Sequence, residues 1–168
     1  MVKQKAFYNR LLPGQEVFGS FEAADILKVK RSVINNDMKQ GYLPAGSKVK
    51  WGKTVRTVFS RQEISWMSLF YQLNSIGLTK RHANEIVKSI CSEPHDFILL
   101  KSPADRGENV AAINFKNYLS VQALDEIKKT GAIIIINYKK IRQDLDENIR
   151  RHDQISASIP TPGKIRLF

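Results

Sequence analysis

From residue 17 onward the apolar positions change rhythm several times, and each change marks a candidate element. GQEVFGS suits a short strand leading into a helix. In SFEAADILK, Phe21, Ala24 and Leu27 recur at helical spacing. Ser20 stands at the N-cap position, and Glu22 in the first turn favours the helix dipole. KVKR then interrupts the pattern. A second short helix begins at Ser32 and ends at Gly41, a C′ glycine. Its inner face is Val33, Ile34 and Met38; Ser32, Asn35, Asn36 and Lys39, spaced i, i+3, i+4, i+7, share the outer face. KVKWGKTVRTVF interleaves Lys48, Lys50, Lys53 and Arg56 with Val49, Trp51, Val55 and Val58, which predicts a basic β-hairpin. Ser60 and Glu63 form a capping box before RQEISWMSLFYQLNSIG. There Ile64, Met67, Phe70, Tyr71 and Ile76 run at helical spacing, and Trp66, Leu69 and Leu73 widen the stripe, as in a core helix. Gly77 stops it. Thr79 caps KRHANEIVKSI, which puts Ala83, Ile86, Val87 and Ile90 on one face.

Pro94 breaks the pattern and marks a boundary. Beyond it DFILLK and NVAAINF read as strands joined by the turn-rich SPADRGE, and SVQALDEIKKTG as a helix. AIIIINY reads as a buried strand, and KKIRQDLDENIRRH as a last helix with the stripe Ile141, Leu145, Ile149. The class predicted is α+β: a mainly helical first half followed by a small β-β-α-β-α module. The divisions are an arm over 1–14 closed by Pro13-Gly14, a domain over 15–92, a module over 95–152, and an extended tail over 153–168.

Composition narrows the function. The chain has 168 residues, is 42% apolar and carries a net charge of +11. Residues 1–91 hold 15 Lys and Arg against 6 Asp and Glu; residues 92–168 hold 12 against 10. A basic half joined to a near-neutral one suggests that the first meets a polyanion. Cys91 is the single cysteine, so neither an internal disulfide nor a cysteine zinc site is expected. His82, His95 and His152 are scattered, and no metal or other cofactor is expected. The longest apolar run, Ala132 to Ile136, is far short of the roughly 18 residues of a membrane span. The basic N-terminus lacks the long apolar stretch of a secretory signal. A cytoplasmic, nucleoid-associated protein is expected, with no membrane partner. No nucleophile motif, phosphate loop or metal spacing is found, so an enzyme is not expected.

EAADILKV, GYLP at 41–44, VFSRQEI and LNSIGLTKRHANEIVKSI occur in this order. Together they resemble the MerR-type winged helix-turn-helix over residues 17–90, in which a Glu-Ala-Ala helix precedes a second helix closed by Gly-Leu-Leu-Pro. Residues 22–44 also resemble the excisionase branch of that superfamily. The resemblance implies a bacterial or phage DNA-binding domain at 15–92 whose second helix enters the major groove. This sequence departs from the family's Arg-Tyr-Tyr-Glu at Asn35, Asn36, Asp37 and Met38, and from the wing's Arg-x-Tyr at Thr57-Val58-Phe59. A changed reading head is expected, and the family's sensing mechanism is not carried over.

On that frame Ser32, Asn35, Asn36 and Lys39 are the expected base readers, since Asn pairs bidentately with adenine. Lys30 and Arg31, ahead of the helix, are expected to meet phosphate or one base edge, Lys48, Lys50, Lys53 and Arg56 phosphates or the adjacent minor groove, and Lys80, Arg81 and His82 phosphate. Trp51 either packs the wing on the core or reaches the backbone of the duplex. Ile141, Leu145 and Ile149 are expected to dimerise the chain, and the C-terminal module is alternatively a site for a small ligand or protein partner. The function expected is transcriptional regulation by a homodimer on double-stranded DNA. The alternatives are a DNA-bending excision factor and a protein-interaction adaptor built on a winged helix.

Overall fold

Ser60 and Glu63 make the reciprocal contacts their spacing predicts. The Ser60 Oγ accepts from the Glu63 N–H at 3.2 Å, and the Glu63 carboxylate accepts from the Ser60 N–H at 2.7 Å. Two backbone donors that the helix itself leaves open are thereby satisfied. In the computed structural model, which describes residues 16–51, 53–90, 97–101, 112–114 and 133–158, this cap opens the central helix. The described elements are β1 (Val17–Gly19), α1 (Ser20–Leu27), α2 (Arg31–Lys39), β2 (Ser47–Trp51), β3 (Thr54–Ser60), α3 (Arg61–Ser75) and α4 (Lys80–Ile90). They continue with β4 (Phe97–Lys101), β5 (Ala112–Asn114), β6 (Ile133–Asn137) and α5 (Tyr138–Ser158). Helix and small antiparallel sheets are mixed, an α+β architecture. The expected arm at 1–14, the helix within 120–131 and the tail after 158 lie outside the described residues.

β3 is the centre of the first sheet. It pairs antiparallel with β1, Phe18 opposite Phe59, and with β2, Val49 opposite Arg56. Val49, Val58 and Phe59 point into the core, while Lys48, Lys50 and Lys53 stay exposed. Val49, Arg56 and Val58 share one face of the hairpin and Lys48, Lys50 and Val55 the other, so Val55, at 66% exposure, follows the open face. Phe59 departs from the alternation: it lies on the face of Val55 but is buried where β3 pairs with β1, opposite Phe18. Gly46 admits the chain to β2 at φ +65°; a Cβ there would lie 2.7 Å from the Val58 carbonyl oxygen, so only glycine fits.

α1 is capped differently from expectation. Gly19, not Ser20, is the N-cap, and the Glu22 carboxylate accepts from its N–H at 2.7 Å. Its inner face is Glu22, Ala23, Ala24 and Ile26, while Phe21 is 64% exposed. A helix of two turns supplies too few periods to choose between adjacent stripes, and the sheet beneath chose the one centred on Ala23. Lys28 ends α1 in the left-handed region at φ 54°, at a cost of about 1–2 kcal/mol for a residue with a Cβ. In return the Val29 N–H reaches the Ala24 carbonyl at 3.0 Å, which closes the turn into α2. α2 starts one residue earlier than Ser32, at Arg31, and Gly41 follows its C-cap at φ +74°, as predicted.

α3 buries Ile64, Met67, Leu69, Phe70 and Leu73, and Ile76 at its end is 51% exposed rather than part of the stripe. Each such burial contributes roughly 1.5–3 kcal/mol. Ala83, Ile86, Val87 and Ile90 of α4 complete this layer, the face the sequence assigns.

The second sheet has the order β5-β4-β6, all antiparallel, with Leu99 opposite both Ile113 and Ile135. β6 runs straight into α5, where the Asn137 side chain accepts from the Lys140 N–H at 2.9 Å. α5 continues past the expected end at 152 through Ser158, so the first part of the expected tail is helical. No helix breaker occurs before Pro160, and Lys140–Asp144 and Glu147–Arg151 ion pairs line its outer side.

α5 packs on α1 and α3. Leu145 and Ile149 are 3% and 4% exposed and belong to the same apolar cluster as Ile26, Phe59 and Leu73. The expectation that Ile141, Leu145 and Ile149 present a dimer surface is therefore corrected. The stripe is satisfied within one chain, Ile141 being half-buried against the same cluster. Arg61 reinforces the seam, reaching Asp146 at 2.6 Å and Glu16 at 3.0 Å. The Ser65 and Tyr138 hydroxyls meet at 2.9 Å beneath it. Among the described residues no helix is long and apolar enough to cross a membrane.

Candidate nucleic-acid interface

α2 holds its two faces as its spacing dictates. Ile34 is fully buried, Val33 and Met38 are half-buried, and Ser32, Asn35, Asn36 and Lys39 are all exposed. The asparagines lower helix propensity by several tenths of a kcal/mol each relative to alanine. They carry no packing in exchange. Their amides, with the Ser32 hydroxyl and the Lys39 ammonium, offer donors and acceptors on one open ridge. Arg31 joins the ridge, one turn before Asn35 and also exposed.

The inner side of α2 holds a group that the reading of faces passed over. Asp37 is fully buried. Its carboxylate accepts from Lys80 Nζ at 2.5 Å and from the Tyr71 hydroxyl at 3.3 Å. Burial, reinforced by the Asp37 charge and hydrogen bond, raises the Tyr71 phenol well above its usual range. The signal was present in the sequence, since Asp37 lies three residues after Ile34 and four after Val33, on the buried face. Lys80 is thus held by a carboxylate within the protein and does not stand free as the expected phosphate contact. Arg81 pairs with Glu85 at 3.1 Å on the surface of α4. His82 is exposed, with its backbone N–H on the Thr79 hydroxyl at 3.3 Å.

On the hairpin Lys48, Lys50 and Lys53 are exposed and Arg56 is half-buried. Lys48 Nζ donates to the Thr57 hydroxyl at 2.7 Å, which orders a long side chain along the strand pair. Trp51 ends β2, and the reading of its side chain lies outside the described residues. Lys30 is the exposed N-cap of α2 and makes no side-chain cap bond.

The tertiary structure joins α2 to the hairpin through a groove of about 340 Å³. The first turn of α1 forms its floor, with Ser20, Phe21 and Glu22; Arg31 and Asn35 form one wall, and Val55, Arg56 and Thr57 the other. Of the expected contacts it brings together Arg31, Asn35 and Arg56; Lys80, Arg81 and His82 do not line it. Phe21, expected in the core, stands in the groove with the Arg31 guanidinium 3.9 Å above its ring. Ser20, expected as a cap, accepts from Arg31 Nε at 3.1 Å. A cavity of about 350 Å³ lies between α1, α3 and α5 and is lined in part by Ile141, Leu145 and Asn148 of the C-terminal module, where a small ligand was one of the alternatives, and another of about 270 Å³, mostly apolar, lies between Tyr42, Leu43, Trp66, Phe70 and Val87. Among the described residues no cluster of His, Cys, Asp or Glu is arranged to hold a metal ion.

Comparison with known families finds no matching family model, and comparison with curated proteins finds no significant match.

Proposed function

We propose that this protein binds double-stranded DNA sequence-specifically through a winged helix-turn-helix, in which α1 and α2 are the helix-turn-helix and β2–β3 is the wing, and that it regulates transcription. The observation that carries the reading is the open ridge Ser32, Asn35, Asn36 and Lys39 on α2, whose Asn35 shares one groove with Arg56 of a hairpin that also carries Lys48, Lys50 and Lys53. α2 would lie in the major groove, its amides on base edges. Lys48, Lys50, Lys53 and Arg56 would follow the phosphates or the adjacent minor groove.

Four cations each neutralising one phosphate give a log–log salt slope of about −3.6 on duplex DNA. Titration of the full chain against duplexes selected from a random pool, at several salt concentrations, tests this. Asn35→Ala should relax the sequence preference at one position. Lys53→Ala should weaken all duplexes alike and reduce the slope by about 1. A flat slope would sink the DNA reading and leave the adaptor in its place.

The burial of Leu145 and Ile149 favours a second reading over the symmetric homodimer: a monomer that occupies successive direct repeats and bends the duplex, as an architectural factor for excision does. Solution mass together with the spacing of protected sites separates the two. A two-fold operator and a doubled mass support the dimer; direct repeats and a monomeric mass support the architectural factor.

A further inference from the structure

A phenylalanine at 64% exposure on the first turn of a two-turn helix is costly in water and does nothing for the core. What it touches is Arg31. The guanidinium lies 3.9 Å over the ring, and its Nε is committed to the Ser20 hydroxyl at 3.1 Å. Stack and hydrogen bond together fix the plane of the fork. The two terminal amines have no hydrogen-bond partner among the described residues, and Arg31 is the first residue of α2, one turn from Asn35 on the exposed ridge.

We infer that Arg31, held in plane by Phe21 and Ser20, reads one guanine through its N7 and O6, and that Phe21 is the positioning residue for this readout. The inference rests on the DNA-binding reading above and adds a base and a residue to it. Two facts favour a base edge over a phosphate. The first residues of a recognition helix are those that meet base edges, and a planar fork with two in-plane donors fits the paired acceptors of guanine. The groove also offers apolar surface, Phe21 on its floor and Val55, 66% exposed, on one wall. A phosphate gains nothing from such surface. A base edge and its deoxyribose gain cover from water. The exposed hairpin lysines already supply charge for the backbone.

The test uses the full chain and duplexes selected from a random pool. Wild type should select guanine at one position beside those set by Asn35 and Asn36. Replacing that guanine by 7-deazaguanine, which keeps its pairing but loses N7, should weaken binding roughly 5- to 100-fold, the range for a bidentate base contact. Arg31→Met, which keeps an unbranched side chain and removes every donor, should abolish the preference and the effect of 7-deazaguanine. Phe21→Leu should abolish both as well, because it keeps apolar bulk and loses the π face, whereas Phe21→Tyr should retain both. In every variant the preferences at the other positions and the salt slope should match wild type. Both side chains are exposed, so the variants are expected to fold, and a circular dichroism melt checks this.

Three results overturn the inference while leaving DNA binding in place. One is a Phe21→Leu protein with unchanged guanine preference. Another is an Arg31→Met protein that keeps the preference. The third is an Arg31→Ala protein that weakens all duplexes equally and lowers the salt slope by about 1, which marks a phosphate contact. Binding without any sequence preference overturns it too. A chain with neither preference nor salt dependence removes the DNA reading itself.

Discussion

Lys80→Met separates a structural lysine from a nucleic-acid contact. Lys80 is the cation paired with the Asp37 carboxylate, which is fully buried on the inner side of α2. With the ammonium gone, Asp37 keeps only the Tyr71 hydroxyl, at 3.3 Å, among the described side chains. Removing one partner of a buried ion pair costs about 3–5 kcal/mol. The Lys80 side chain is 42% exposed, so water screens its half of the pair and about 2–3 kcal/mol is expected here. Asp37→Asn keeps one acceptor, for Lys80, and turns an amide NH2 toward the Tyr71 hydroxyl, whose oxygen can accept from it; it should cost less than the loss of Lys80, about 1–2 kcal/mol. In the double variant the ammonium is no longer missed by a buried charge. The double-mutant cycle should therefore show a coupling of about 1–2 kcal/mol. Urea denaturation of the four proteins, followed by circular dichroism, reads all of these values. The salt slope for duplex DNA should be the same in Lys80→Met as in wild type. A Lys80→Met protein within about 0.5 kcal/mol of wild type, with no coupling to Asp37 and a slope reduced by about 1, would refute the argument and return Lys80 to the phosphate backbone.

Leu145→Ala should destabilise the fold by about 2–5 kcal/mol through the cavity left against α1 and α3, with no change in solution mass; a change in mass without a loss of stability would favour a dimer seam. Gly46→Ala should cost roughly 2–4 kcal/mol, from the left-handed backbone and the clash with the Val58 carbonyl, and a thermal melt close to wild type would contradict that geometry. Tyr71→Phe tests the raised phenol. A proton held more tightly in the folded state stabilises the fold fully below the unfolded value of about 10 and is lost as pH rises toward the folded one. Denaturation between pH 8 and 11 should therefore show the advantage of wild type over Tyr71→Phe shrinking above pH 10, and a constant difference would contradict it.

Local chemistry was legible wherever its partners are close in sequence. The Ser60–Glu63 cap, the Gly41 stop, the basic hairpin and the two faces of α2 could all be read directly, because each rests on contacts a few residues apart. The sequence alone also set the charge asymmetry and the open amide ridge. It did not settle how the elements cover one another. The stripe Ile141, Leu145, Ile149 is equally apolar whether it meets a second copy or α1 and α3 of its own chain. Only the packed structure shows Leu145 and Ile149 in the common core. Lys80 reads as a free cation until α4 brings it to Asp37, 43 residues away. Phe21 reads as core because two turns of helix do not fix a stripe, and only the sheet beneath turns it outward to meet Arg31. Spacing along the chain determines which side chains share a face. What lies opposite that face depends on long-range apolar contacts, which also decide whether a buried charge finds a partner.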